Sequence, residues 1–186
     1  MNVGVLASGE GTNLQALIDL VHGHEATITA VASDKPGARA LARAQAAAVP
    51  TRVFELAHYG DRAGRDSAIA DWLTEQHVEL VVLAGYMAIL TPGFLVRFPE
   101  RVINVHPSLL PKYPGLDAIG QALAAGESQF GVTVHYVDEG VDTGPVISQD
   151  SIALDDPGSE SEIHAALRPI EHRLLADAVR RIASGG

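Results

Sequence analysis

Cysteine is absent from the 186-residue sequence, and basic residues are scarce. Without cysteine the chain forms no disulfide and offers neither thiolate zinc ligands nor a cysteine nucleophile. Its 13 Lys and Arg stand against 23 Asp and Glu, which gives a formal net charge of -10. Because affinity for DNA or RNA depends on Lys and Arg that neutralise phosphates, no nucleic-acid partner is expected. A local pocket for a single phosphate is still compatible with this composition.

Long hydrophobic runs are also missing, although 47% of the residues are hydrophobic. No apolar run approaches the roughly 18 residues that a membrane-spanning helix needs. No basic segment precedes the apolar run at 3–7, as it would in a signal peptide. The histidines lack His-Glu-x-x-His spacing, so no metal is expected. We therefore expect a cytoplasmic monomer or homodimer with no membrane partner, folded as one domain over residues 1-186.

Apolar runs and helical patterns alternate along the first half of the chain. Strand signals fall near 3–7, 28–32, 51–54, 80–84 and 102–106, and helical signals fall near 14–21, 38–48 and 61–76. The run at 80–84 has no polar alternation, as in a parallel strand that is buried on both faces. This alternation predicts an α/β fold with a doubly wound, mostly parallel twisted sheet.

The second half of the chain has a different pattern. A helix is expected near 116–125, and strand-like stretches at 131–137 and 145–153 flank a short loop. So short a connection predicts an antiparallel C-terminal strand pair added to the sheet. A long C-terminal helix is expected at about 159–183, followed by a tail at 184–186 that should fray.

A glycine-rich turn, Gly9-Glu10-Gly11-Thr12-Asn13, joins the first strand to the first helix. Glycines let the backbone turn tightly, and the N–H groups of a helix N-terminus favour an anion. Thr12 and Asn13 add side-chain donors, or they cap the helix without any ligand. Leu14 stands at the third glycine of a dinucleotide fingerprint, and no Gly-Lys-Ser/Thr follows, so the turn is neither that motif nor a P-loop. Phosphate binding and a simple capped turn both remain open.

Asn104 and His106 lie two residues apart in the expected strand at 102–106, so both side chains emerge on the same face. They stand at the carboxyl end of that strand, where ligands bind in open α/β sheets. An amide can stabilise a developing oxyanion, and an imidazole can move a proton near neutral pH. The pair therefore suits acyl transfer, although a structural histidine bonded to a loop is an equal alternative.

Asp142 lies in the segment Val141-Asp142-Thr143-Gly144-Pro145, between the two expected antiparallel strands. An aspartate in a turn usually bonds to its own backbone, and that alternative is the stronger one for this residue taken alone. The functional alternative is that Asp142 orients His106 and favours its protonated form, because an opposite charge raises the pKa of an imidazole. Ser108 has no Gly-x-Ser-x-Gly elbow around it and is expected to be a loop residue.

Three longer stretches make the sequence resemble the phosphoribosylglycinamide formyltransferase family. The stretches are Val3 to Gly9, Leu83 to Gly115 with its Asn-Val-His-Pro-Ser-Leu-Leu-Pro core, and Gly131 to Pro145. The resemblance covers nearly the whole chain and implies a Rossmann-like formyltransferase fold. It also implies transfer of the formyl group of 10-formyltetrahydrofolate to glycinamide ribonucleotide in purine synthesis, with no metal cofactor.

The resemblance assigns roles to the matching positions. The substrate phosphate would be held by Gly11, Thr12 and Asn13. The ribose or glycinamide would contact Glu171 and the preceding turn Arg168, Pro169 and Ile170. The folate would be bound by Arg62, Met87, Ala88, Ile89, Leu90, Asp138, Glu139, Gly140 and Val141, together with Asn104 and Asp142. The catalytic residues would be Asn104, His106 and Asp142.

One residue and one stretch depart from the family pattern. Ala88 stands where many members carry arginine. If the arginine side chain binds the folate in those members, this chain should bind the formyl donor more weakly. The stretch 115–120 lacks the histidines that some members have, and no catalytic role is assigned to it.

Other activities remain as alternatives. Methionyl-tRNA formyltransferase and formyltetrahydrofolate hydrolase share the core motif, but each carries a further domain, and the former has Arg-Gly where this chain has Tyr113-Pro114-Gly115. A non-catalytic phosphosugar-binding module is supported only by the turn at 9–13.

Overall fold

Seven strands form one sheet in the computed structural model, which describes residues 1–185. The strands are β1 (Asn2–Leu6), β2 (Thr27–Ser33), β3 (Thr51–Val53), β4 (Leu80–Leu83), β5 (Val102–His106), β6 (Gln129–Tyr136) and β7 (Val146–Ala153). All four residues of β4 are buried, as its unbroken apolar run predicts. Gly186, the last residue of the tail that was expected to fray, lies outside the described residues.

The strand order is β3-β2-β1-β4-β5-β6-β7. The five strands from β3 to β5 are parallel, while β6 pairs antiparallel with β5, and β7 pairs antiparallel with β6. The predicted doubly wound, mostly parallel sheet with an antiparallel C-terminal pair is therefore confirmed. The order reverses between β1 and β4, and a reversal of this kind opens a crevice at the carboxyl ends of the strands.

Helices cover both faces of the sheet. They are α1 (Thr12–Leu20), α2 (Arg39–Ala46), α3 (Arg62–Glu75), α4 (Pro92–Leu95), α5 (Ala118–Ala124) and α6 (Glu160–Ala183), with a 3-10 turn at Leu56–His58. Two apolar clusters result, one on each face of the sheet. Within residues 1–185, no helix is both long and apolar enough to cross a membrane.

The start of α6 agrees with its sequence. Ser159 and Glu162 form a reciprocal capping box, in which each side chain bonds the backbone N–H of the other residue. Pro169 lies inside α6 and is exposed, so the stretch 168–170 is a turn of a continuous helix. The long C-terminal helix expected at about 159–183 is therefore confirmed, and the turn named with Glu171 lies within it. The sequence did not predict α4, whose single helical turn is too short to show a helical period.

Candidate active site

A cavity of about 490 Å³ opens at the carboxyl ends of β1, β4 and β5. Its walls come from segments far apart in the chain: 10–13, 83–90, 104–107, 115–118, 135, 137–142, 164 and 171. The lining joins the glycine-rich turn, the segment after β4, the expected catalytic residues and one face of α6. The motifs singled out in the sequence therefore meet in one place.

Gly11 shapes the end of the cavity next to α1. Its φ of 72° is left-handed, and a Cβ there would lie 2.6 Å from the Ala40 Cα, so only glycine fits without a shift of the backbone. Gly11 is the residue that precedes α1, and no side chain in the described part of the chain caps the helix. The capping alternative for Thr12 and Asn13 is therefore wrong. The first N–H groups of the helix, which have no partner within a helix, remain available to an anion.

Asn13 and Glu171 meet at the same end. The Asn13 Nδ2 donates to the Glu171 Oε2 at 3.0 Å, although the two residues are 158 positions apart. The carboxylate of Glu171 is buried, and both side chains line the cavity. An amide and a carboxylate held side by side can accept hydroxyl or amine donors of a sugar-like ligand.

The segment after β4 carries the expected folate-binding residues. The Met87 N–H donates to the Ser8 Oγ at 2.9 Å, and that hydroxyl donates to Asp34. At its other end the Thr91 N–H donates to the buried carboxylate of Asp66, which also pairs with Arg65. The segment is thus held at both ends, and it presents Met87 to Leu90 to the cavity.

Arg62 lies outside the main cavity. It lines an adjoining shallow pocket with Arg65 and Asp34, and that pocket shares Met87, Ala88 and Ile89 with the main cavity. A ligand that occupies both pockets would contact the Arg62 guanidinium only through the part that lies in the adjoining pocket. Arg62 therefore lies near the expected folate segment but away from the catalytic residues.

Asn104 and His135 face each other across the β5 and β6 ladder. The Asn104 Nδ2 lies 3.3 Å from the His135 Nε2 and 3.3 Å from the Asp142 Oδ1. The His135 Nδ1 lies 2.8 Å from the Tyr136 carbonyl, to which it donates. The His135 Nε2 therefore lies between the Asn104 amide and the Asp142 carboxylate, from whose Oδ1 it is 3.4 Å away.

Both ring nitrogens of the buried His106 have partners. The Nε2 donates to the Tyr113 carbonyl at 2.8 Å, and the Nδ1 lies 3.3 Å from the Asp142 Oδ2. Because both partners are acceptors, both contacts are satisfied only when both nitrogens carry protons. His106 is therefore bonded to a loop and also in contact with Asp142, so the two alternatives drawn from the sequence describe one arrangement.

Asp142 connects the site. Besides Asn104 and His106, its carboxylate contacts His135, and it accepts the Gly115 N–H at 2.7 Å. Burial by itself would raise the pKa of the Asp142 carboxyl. The hydrogen bonds from His135 and Gly115 and the histidine charges outweigh burial, so the pKa lies below its ordinary value. Asp142 is therefore held as a carboxylate, and its contacts extend well beyond those of a turn aspartate.

The loop that carries Asp142 is braced from within. The Asp138 Oδ1 accepts the Gly140 N–H and the Thr143 hydroxyl. Gly144 lets the loop touch β6, because a Cβ there would lie 1.9 Å from the Tyr136 carbonyl oxygen. The loop thereby holds the backbone of 138–142 along the cavity.

The cavity is lined by the residues expected at the phosphate and by most of those expected at the folate, but by only one of those expected at the ribose or glycinamide. All of Gly11 to Asn13, Met87 to Leu90 and Asp138 to Asp142 line the cavity. Of the four residues expected at the ribose or glycinamide, only Glu171 does. Pro169 is exposed, Ile170 packs in the core and Arg168 is partly buried. Ser108, expected in a loop, donates to the Lys112 carbonyl within its loop.

His135 and His164 line the cavity without having been assigned a role. A signal for His135 was present, since it is the one ionisable residue within the apolar stretch 130–135. Its position opposite Asn104 depends on strand register, which the sequence does not show. Among residues 1–185, no group of three or more His, Cys, Asp or Glu side chains is arranged to hold a metal.

Comparisons with known proteins identify the family to which the chain is similar. Residues 1–179 match the family model described as formyl transferase. The phosphoribosylglycinamide formyltransferase of Bacillus subtilis is 38% identical over 180 residues, covering 96% of this chain and 92% of that protein. That of Haemophilus influenzae is 40% identical over 185 residues, covering 98% of this chain and 87% of that protein.

Solved structures give the same result. The crystal structure of glycinamide ribonucleotide transformylase 1 from Symbiobacterium toebii matches with a TM-score of 0.97 and 40% identity, covering 100% of this chain and 88% of that one. The enzyme of the same name from Geobacillus kaustophilus matches with a TM-score of 0.93 and 40% identity, covering 98% of each chain. Similarity at this level extends over the whole sheet and its helices.

Proposed function

The chain belongs to the formyl transferase family, and on that premise we propose that it formylates N1-(5-phospho-D-ribosyl)glycinamide with 10-formyltetrahydrofolate. The products are the N-formyl amide and tetrahydrofolate, in purine biosynthesis. The observation that carries the proposal is one continuous cavity, which joins an anion-accepting helix terminus to the cluster of Asn104, His106 and Asp142. The relatives named for this reaction are about 40% identical over nearly the full chain.

The acceptor occupies the end formed by α1 and α6. Backbone N–H groups at Gly11 to Asn13 bind its phosphate, where the positive end of the α1 dipole adds to the attraction. Glu171, which Asn13 holds in place, accepts hydrogen bonds from the ribose or the glycinamide. Arg168, Pro169 and Ile170 support this wall from α6 without lining it.

The folate donor occupies the part of the cavity between the segment after β4 and the loop before β7. Exposed apolar side chains of Met87, Ile89 and Val141 suit the faces of a pteridine ring. Backbone groups of 138–142 suit its polar edge. Arg62 in the adjoining pocket meets the distal, acidic part of the donor.

The chemistry is direct transfer, in which the neutral glycinamide amine attacks the formyl carbon. Asn104 donates to the formyl oxygen as negative charge develops there, and the nearby charge of His106 stabilises the same oxygen. Asp142 keeps His106 oriented and protonated, and it holds a water that carries the proton from the amine towards N10 of the leaving folate. A single donor of this kind contributes roughly 3–4 kcal/mol to transition-state stabilisation.

The decisive test follows tetrahydrofolate formation with and without phosphoribosylglycinamide. We expect turnover that depends on the acceptor. Equal turnover without acceptor would identify a hydrolase instead. Binding of both ligands with no turnover in either mixture would contradict an enzymatic role and favour a phosphosugar-binding module.

A further inference from the structure

His164 lies on α6 at the acceptor end of the cavity, and the proposed reaction leaves it without a role. Its Nε2 is 3.6 Å from the Glu171 Oε1, and its side chain is 49% exposed, against 6% for Glu171. The two residues are seven positions apart and therefore share one face of the helix. Because the other oxygen of Glu171 accepts from Asn13, a line of contacts runs from His164 to the phosphate loop.

The charges that line the cavity make this contact important. The lining has six carboxylates, from Glu10, Asp117, Asp138, Glu139, Asp142 and Glu171, and neither lysine nor arginine within residues 1–185. Its remaining ionisable side chains are Tyr86 and three histidines, of which His106 and His135 contact Asp142. A phosphate monoester that enters beside the buried Glu171 is repelled, and His164 is the histidine placed to offset that charge.

Asn13 supplies a second observation. It is only 9% exposed, and while its Nδ2 donates to Glu171, its Oδ1 is buried with no partner among the residues that the structure describes. A buried oxygen that accepts no hydrogen bond costs free energy. A ligand in the cavity can supply the missing N–H or O–H group. The acceptor end is therefore arranged to receive a ligand that brings both hydrogen-bond donors and negative charge.

We infer that His164, as an imidazolium, determines specificity for the phosphorylated form of the acceptor. Its positive charge compensates Glu171, so that a buried carboxylate and a phosphate occupy the same end of one cavity. This inference rests on the proposed function and adds to it a residue outside the resemblance.

The test compares His164→Gln and His164→Lys with the wild type, using phosphoribosylglycinamide and its dephosphorylated riboside as acceptors. For His164→Gln we expect KM for the phosphorylated acceptor to rise about tenfold, the effect of one charged contact, with kcat and the folate KM little changed. The riboside KM should stay the same. His164→Lys, which keeps a positive charge at this position, should restore the low KM. His24→Gln, at an exposed histidine outside the cavity, is the matched control.

Three kinetic results would overturn the inference: an unchanged KM in His164→Gln, an equal rise with the riboside, or a lysine variant as poor as the glutamine variant. Calorimetric titration with ribose 5-phosphate at pH 6.5 tests His164 without any turnover. We expect tighter binding by the wild type than by His164→Gln. Equal binding, or no binding by the wild type, contradicts the inference, whereas an inactive wild type that still shows the difference contradicts only the proposed function.

Discussion

The two ends of the cavity are built in different ways. At the catalytic end, side chains from β5 and β6 all contact one carboxylate, that of Asp142 in the loop before β7. At the acceptor end, the main donors are backbone N–H groups of a turn, supported by the Asn13 and Glu171 pair. The first end is a network of mutually bonded side chains. The second is an open backbone surface, where the buried Asn13 Oδ1 has no hydrogen-bond partner among residues 1–185.

The roles proposed for the two ends account for this difference. Charge that develops in a transition state is stabilised only by dipoles that are already oriented, because reorientation during the reaction costs free energy. Binding a stable phosphate requires hydrogen-bond donors, but these donors need not be held in one orientation in advance. Damage to the catalytic end should therefore lower kcat, while damage to the acceptor end should raise KM.

The largest effect is expected for Asp142→Asn. The change removes the charge that three side chains share, so kcat should fall by roughly 10³-fold or more, as in other histidine–aspartate pairs. Steady-state kinetics at saturating substrates measure the loss, and circular dichroism checks the fold. Asp71→Asn, at an exposed carboxylate outside the cavity, is the matched control. A kcat within a fewfold of the wild type would remove Asp142 from the mechanism.

Asn104→Ala should come next, with a loss of about 10²-fold in kcat for one missing oxyanion donor. The acceptor KM should change little, since Asn104 lies away from the phosphate loop. Asn2→Ala removes an amide that donates to the His77 carbonyl at the other end of β1, and it serves as the control. If Asn104→Ala raised KM and left kcat intact, the proposed division between the two ends would be wrong.

Gly11→Ala tests the acceptor end. The left-handed φ and the contact with Ala40 force the turn to move, so KM for the phosphorylated acceptor should rise roughly tenfold, with a stability loss of about 1–3 kcal/mol. Gly9→Ala, where a Cβ meets nothing within 4 Å, should be close to the wild type in both measurements. Similar kinetics for the two variants would argue against phosphate binding at this turn.

The free energy of unfolding at acid pH tests the environment of Asp142 in the absence of substrate. Because the pKa of Asp142 is lowered in the folded protein, its carboxylate adds stability that is complete above the ordinary value of 3.8 and is lost as pH falls through the folded value. The stability difference between the wild type and Asp142→Asn should thus shrink below that pH. Denaturant titrations from pH 5 downward measure the difference, and a constant difference throughout would contradict the assignment.

The smallest effect is expected for Ala88→Arg. Ala88 lines both the main cavity and the pocket of Arg62, so an added guanidinium should lower the folate KM by less than about tenfold, as an exposed ion pair does. The acceptor KM and kcat should not change. A lowered kcat would show that this segment reaches the catalytic end.

The sequence predicted more of the catalytic end than of the acceptor end. Two-residue spacing places Asn104 and His106 on one face, and that local rule holds in β5. His135 was missed because its position opposite Asn104 depends on the register between β5 and β6. The stretch 168–170 was expected to contact substrate, but the helical period turns Ile170 into the core and only Glu171 towards the cavity.

The sequence by itself predicted the strands, the helices other than α4 and the glycine-rich turn, because each shows a local pattern of residues. Only the tertiary structure decided that Asn13 meets Glu171, that Asp142 meets two histidines, and that His164 shares the acceptor end. These contacts form when strand order and helix packing bring distant segments together. No local pattern encodes such distances, and so the site emerges from the fold.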